Sequence, residues 1–436
     1  MAECIIQNTP HDNQTHASAD GKVSLRKFPY PYKAALAICS DIDETRTTEE
    51  FLEIQRFLCT KNTTSMGEGV GLEIGNSFYF YDDENCFSYF THDERARRII
   101  IDLIRAGYVD CLHSYGDTAI NRDQILRALD VLYKSDCKLD VWVNHYGAPS
   151  NFGRKFEYMF GACQGDDPGS SVYHADATLD YGIRFVWVGA TTRVLGQSPT
   201  NSSLSVSTVL DPKYPLLSSL SVLKEVRKKV LGQWGNERFI IHRQNQLMQV
   251  MQLEDGRRVH EFIRYCNHPV SVGQGATSRG LAYAISKRVL EKLKAAQGFM
   301  IVYAHFGKNS DCIQVIAQET QEALRNLERE YRDGDIYVTT TSKLLNYYRA
   351  REYLVWSHQQ GGNQTRINIE HLDDPVFGQQ SPTVDQLQGL TFYVQSGSNV
   401  DICLGGTGLR SIQRNRADDS GQESVTIPFV RPSFPY

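Results

Sequence analysis

The sequence has no excess of positive charge: 46 Lys and Arg stand against 51 Asp and Glu, a net of -5. Such a balance gives no basic field to neutralise a run of phosphates, so nucleic acid is not an expected partner. There is no C-x-x-C pair. The 10 cysteines are scattered singly, which argues against a zinc knuckle or a dithiol redox couple and favours reduced thiols acting as small buried hydrophobes. No apolar run approaches the ~20 residues that span a bilayer. The first residues, MAECIIQNTPHDNQTHASADGK, lack the basic start and apolar core of a secretory signal. The expectation is a soluble, cytoplasmic protein with no membrane partner.

What is present is ordinary globular material: 436 residues, 41% hydrophobic and 22% charged, enough apolar area for a large core and long enough for more than one domain. Residues 1–31 are polar and aperiodic and read as a tail or lead-in. From 32 to about 358, short apolar runs alternate with helical patterns. Candidate strands are 34–39, 76–81, 108–113, 139–145, 184–188, 238–242, 261–265, 300–305 and 336–340. Candidate helices are 92–106, 121–135, 278–297 and 313–331, where apolar residues recur at three- and four-residue spacing. This alternation predicts an α/β fold with a parallel sheet, and its regularity favours a barrel. The stretch 191–235 reads as an insertion over the barrel mouth. From 359 to 436 the chain is rich in Gly, Asn, Gln and Ser, with short alternating runs and no helical pattern between them. This predicts a small C-terminal antiparallel β domain.

The chemistry-bearing residues gather at predicted strand ends. In 34–43, period-two alternation sends Ala35, Ala37, Cys39, Asp41 and Asp43 to one face and Leu36, Ile38, Ser40 and Ile42 to the other. Two carboxylates side by side need a cation or a shared proton. The same acids could instead cap a following helix. His113 and Asp117, in His113-Ser114-Tyr115-Gly116-Asp117, lie four apart just beyond the strand 108–112, so one turn could bring both to a common ion. His145 ends the strand 139–145 and His305 ends 300–305. Three histidines at three strand ends, with the acidic pair on a fourth, place a candidate site at the carboxyl edge of the sheet.

This order of pieces resembles the polysaccharide deacetylase family of carbohydrate esterases, over roughly residues 32–350. The resemblance implies a distorted (β/α) barrel and a metal-dependent hydrolase that removes an N- or O-acyl group from a carbohydrate. It makes Asp41 the base, Asp43 and His113 metal ligands, and His305 the late acid. The chain departs from the family pattern at three places. Its acids are Asp-Ile-Asp rather than adjacent, Asp117 stands where the family has a second His, and Asn144-His145-Tyr146-Gly147 replaces an Arg-Pro segment. Asp117 and His145 are therefore the further candidate ligands. A nitrogen and oxygen donor set of this kind suits zinc among divalent metals. Tyr146 and Trp187 are candidates for stacking on a sugar ring. Two other readings use the same residues: a metal-independent glycosidase built on Asp41, Asp43 and Asp117, or a barrel without activity that binds carbohydrate.

Overall fold

Asp41 and His305 reach the same edge because eight of the nine strands of one sheet run parallel. The computed structural model describes residues 23–42, 45, 47–81, 87–116, 121–157, 161–198, 206–266, 268, 272–307 and 315–436. The chain divides into two units, Tyr32–Asn346 with Arg431–Tyr436, and Met1–Pro31 with Tyr347–Val430.

The first unit is mixed α/β. Its main sheet is built from β1 (Ala34–Asp41), β2 (Gly75–Phe78), β3 (Val109–His113), β4 (Val141–Val143), β5 (Phe185–Trp187), β6 (Met248–Gln252), β7 (Arg258–Phe262), β8 (Phe299–Ala304) and β9 (Ile336–Thr339). The order is β6-β7-β5-β4-β3-β2-β1-β8, with β9 also pairing β1. Only β6 against β7 is antiparallel; the other pairs are parallel. Among the described residues the ladders trace an open path rather than a closed ring. Every residue of β1 is buried, as its run of AALAIC requires of a central strand flanked by neighbours on both sides.

Helices return the chain between strands, and their starts are written in the sequence. Thr47 caps α1 (Thr48–Cys59), Asp93 caps α2 (Glu94–Arg105), and Asn121 with Gln124 forms a capping box on α3 (Arg122–Lys134). The cap of α1 is thus Thr47 and not Asp41. On α2, Ile99, Ile100, Leu103 and Ile104 are buried, each such side chain contributing about 1.5–3 kcal/mol of transfer free energy.

Some expected elements differ. Residues 238–242 were expected as a strand, yet Ile240–His242 is a 3-10 turn. The chain reverses at Gly235, with φ 82°, and packs Phe239 back against Gly232, so the β propensity of Ile-Ile finds no sheet neighbour. The helical pattern 278–297 breaks into Ser278–Ala284 and Lys287–Ala296. The insertion 191–235 carries a 19-residue helix, Pro215–Gln233, started by its proline. No helix among the described residues is long and apolar enough to cross a membrane.

The second unit is β-rich. Ser24–Leu25 pairs with Thr391–Val394, which pairs with Glu423–Thr426, all antiparallel; residues 24–25 thus leave the expected lead-in and join this sheet. A second sheet pairs Leu354–Gly361 with Gln364–Asp374 in antiparallel fashion. Its next pair, Gln364–Ile369 with Asn399–Leu404, is parallel, which corrects the expectation of a wholly antiparallel domain. The long connection between them passes through the other sheet at Thr391–Val394, and this frees the returning strand to run in the same direction. Arg349, buried, is ion-paired with Asp374.

Candidate active site

Parallel register brings one row of side chains to the carboxyl edge of the sheet. Asp41 is the register partner of Ser77, Ser77 of Cys111, and His113 of Val143, while Ser40 pairs with Ala304, the residue before His305. The edge to which parallel strands deliver their last residues is where open α/β sheets form ligand sites.

Asp41 is the hub. Its Oδ1 accepts a hydrogen bond from Ser77 Oγ at 2.5 Å and lies 3.7 Å from His113 Nδ1. Its Oδ2 lies 3.8 Å from His305 Nε2. Asp41 and His113 side chains are each 3% exposed and His305 13% exposed. Ser77 Oγ is also 3.2 Å from His113 Nδ1. A carboxylate only accepts, so the Ser77 proton points to Asp41; the hydroxyl oxygen is left to accept from His113 Nδ1–H. In neutral His113 the lone pair is then on Nε2. His305 is held differently, with Nδ1 3.2 Å from the Ala276 carbonyl. A carbonyl oxygen also only accepts, so Nδ1 carries the proton there and Nε2 is the nitrogen that faces Asp41.

The second half of the site is aromatic. Tyr79 stacks on the His113 ring at 4.6 Å and meets the His145 ring edge-on at 5.2 Å; His113 and His145 are themselves edge-to-face at 4.8 Å. The turn carrying His145 is clamped by amides. Asn151 accepts from the His145 N–H at 2.9 Å and donates to its carbonyl, and the Asn144 side chain bridges Trp142 Nε1 and the Phe152 backbone. Beneath Asp41, Cys39 Sγ lies 3.9 Å from Asp41 Oδ1 and 3.8 Å from Cys111 Sγ. Burial and the neighbouring Cys39 hold the Cys111 thiol well above its usual range, in its neutral form.

The structure therefore brings Asp41, His113, His145 and His305 to one edge. Asp43 and Asp117 lie outside the described residues. Tyr146 follows His145 and is 75% exposed. Trp187 stands at the end of β5 but is only 6% exposed, donates its indole N–H to the Ala190 carbonyl at 2.8 Å, and carries the Arg264 guanidinium over its ring. No family model and no curated protein matches the chain. Among the described residues no group of three His, Cys, Asp or Glu side chains is disposed to hold a metal ion.

Sequence reasoning missed Ser77, Tyr79 and the Ala276 carbonyl. Ser77 and Tyr79 are two apart in the predicted strand 76–81, so period two alone places them on one face, and their position at a strand end was the available signal. Nothing local marks a backbone carbonyl. Ser114, directly after His113, has φ 46° and is fully buried. A non-glycine residue in that region is strained, and such strain gathers at functional sites.

Proposed function

We propose that this chain is a hydrolase that removes an N- or O-acyl group from a carbohydrate, with Asp41 as general base and His305 as general acid. The observation that carries the reading is a buried carboxylate shared between two imidazoles at the strand ends. Both histidines face it from opposite oxygens. The parallel order and the row of strand ends support reading the sheet as a distorted (β/α) barrel of the polysaccharide deacetylase type.

The donor chemistry fits a divalent metal such as zinc in kind. Ser77 anchors Nδ1 of His113, the outer-sphere arrangement that fixes a ligating imidazole, and His145 stands beside it. His113 and His145 would hold the ion, with Asp43 and Asp117 as carboxylate ligands. Bound there, it would lower the pKa of a water and polarise the acyl carbonyl. Asp41 takes the proton from the attacking water as the C–O bond forms. His305 gives a proton to the leaving nitrogen or oxygen as the acyl bond breaks, and the proton on Asp41 then restores His305 through the Nε2 face that the two share.

Elemental analysis of the purified protein with Asp43→Ala and His113→Ala variants tests the metal. About one equivalent in the wild type and loss in both variants is expected; a metal-free wild type, or full occupancy in both variants, overturns it. Acetate release from N- and O-acetylated glycans tests the reaction. Release by the wild type should fall at least a hundredfold in Asp41→Asn, and release unchanged in that variant removes Asp41 from the mechanism.

A further inference from the structure

Arg264 is fully buried, at 0% exposure, and among the described residues Nε, Nη1 and Nη2 have no hydrogen-bond partner. Among the described residues no carboxylate pairs with it. A guanidinium carries five donors and stays protonated at any physiological pH, so it cannot escape this situation by losing charge. Leaving an ion buried and unpaired costs several kcal/mol. A purely structural position would be filled more stably by an apolar side chain. Among the described residues no group satisfies this buried cation.

Its surroundings say what could satisfy it. The guanidinium carbon is 4.3 Å from the Trp187 ring centre, 4.9 Å from Tyr303 and 6.0 Å from Phe262. Rings against the guanidinium cover its π surface, so a polar partner approaches along the edge, where the N–H bonds lie. A planar group with two oxygens matches that edge. Tyr303 is also the link to the candidate active site: its ring centre is 6.0 Å from that of His305, and His305 faces Asp41. The backbone of Arg264 is pinned by a parallel ladder in which Arg264 pairs with Thr191 and Tyr265 with Thr192, and by its N–H bond to the Ala190 carbonyl at 3.1 Å. The anchor is therefore rigid, as a specificity element must be.

We infer that Arg264 is the recognition site for a carboxylate on the substrate, so that the acylated carbohydrate is a sugar acid rather than a neutral sugar. The inference rests on the acyl-hydrolase reading for the reacting group, while the anion site stands on the unpaired guanidinium.

The test is binding, measured by calorimetry with D-glucuronate, its neutral methyl ester, and glucose 1-phosphate on wild type, Arg264→Met, Arg264→Lys and Asp41→Asn. The wild type should prefer the acid to its ester at least tenfold. Arg264→Met should erase that preference, Arg264→Lys should weaken it by losing the fork, and Asp41→Asn should keep it. Arg264→Met should also melt no lower than the wild type, because methionine fills the aromatic slot without a buried charge. Equal binding of acid and ester by the wild type, or no binding of either, overturns the proposal. So does a preference retained in Arg264→Met or, should that variant not fold, one undiminished in Arg264→Lys. Tighter binding of the phosphate than of the acid overturns the carboxylate assignment. Acyl release is scored separately: an acid preference without acyl release sinks the hydrolase reading and leaves the anion site standing.

Discussion

Ser77 settles the proton on His113, and this makes it the most informative single substitution near the candidate metal ligands. It donates a hydrogen bond to Asp41 and accepts one from His113 Nδ1. Ser77→Ala removes the acceptor, and the imidazole can then turn or change tautomer. Outer partners of ligating histidines typically contribute 10–100-fold in metal affinity. A loss of that size in a chelator-competition titration is expected, with little change in thermal stability; an unchanged affinity would separate Ser77 from metal binding. At the opposite edge of the sheet a different carboxylate is in an adverse setting. Burial lifts the Asp110 carboxyl to about 7, while its Oδ2 accepts from the Ser342 N–H at 2.8 Å. The unfolded value is about 3.9, so the fold prefers the protonated form. Its stabilising contribution is complete below about pH 4 and is lost as pH rises through 7, a span worth up to about 4 kcal/mol. Asp110→Asn should therefore raise the urea midpoint at pH 8 and change it little at pH 4. A variant no more stable than wild type at pH 8 would show that Asp110 ionises there without penalty. The histidines of the site were legible because each ends a run of alternating residues. Arg264 was visible as a lone cation in an apolar strand pattern, EFIRY, but its want of a partner is a property of three-dimensional surroundings and has no sequence signal.

At the scale of elements, the turn after β3 shows how tightly the strand ends are held. Gly116 has φ 148°, and a Cβ there would come within 1.7 Å of the Tyr81 carbonyl oxygen. The approach is enforced by the Tyr81 N–H, which donates to the Tyr115 carbonyl at 2.9 Å. Gly116→Ala should consequently displace the segment beyond His113, lowering stability by roughly 2–4 kcal/mol through strain and overpacking and reducing metal content in parallel. A variant with wild-type melting and metal content would mean that the turn relaxes freely. No side chain larger than hydrogen fits at this position because of that close approach. Strands were legible where apolar runs coincided with sheet neighbours, as in Ala34–Asp41. They were misread where local propensity had no partner, as at Ile240–His242. Splitting of the 278–297 helix was invisible because the apolar spacing continues across the break. The direction of Asn399–Leu404 depends on where a long connection passes, which no local pattern encodes.

At the scale of the molecule, the chain's last six residues belong with its α/β unit and not with the β-rich segment that precedes them. Phe434 packs edge-on to Tyr108 at 5.2 Å, the Tyr108 hydroxyl donates to the Pro432 carbonyl at 3.0 Å, and Tyr436 donates to Asp102 at 2.7 Å. Arg431 donates to the Gly71 carbonyl. These contacts fasten the hexapeptide to α2 and to the strand that delivers His113. This return to the α/β unit was not legible in the sequence, because aromatic side chains in a short proline-containing tail give no periodic signal. Each bond is partly exposed and modest, about 0.5–1.5 kcal/mol, so their removal together matters more than any one. A chain ending at Val430 should lose about 2–3 kcal/mol from the α/β unit and melt roughly 3–5 °C lower, whereas Tyr436→Phe alone should shift the midpoint by about a degree. If the truncated chain melts with the full-length protein, the hexapeptide is an ornament on α2; if Tyr436→Phe reproduces the whole loss, one hydrogen bond and not the aromatic clamp holds the end in place.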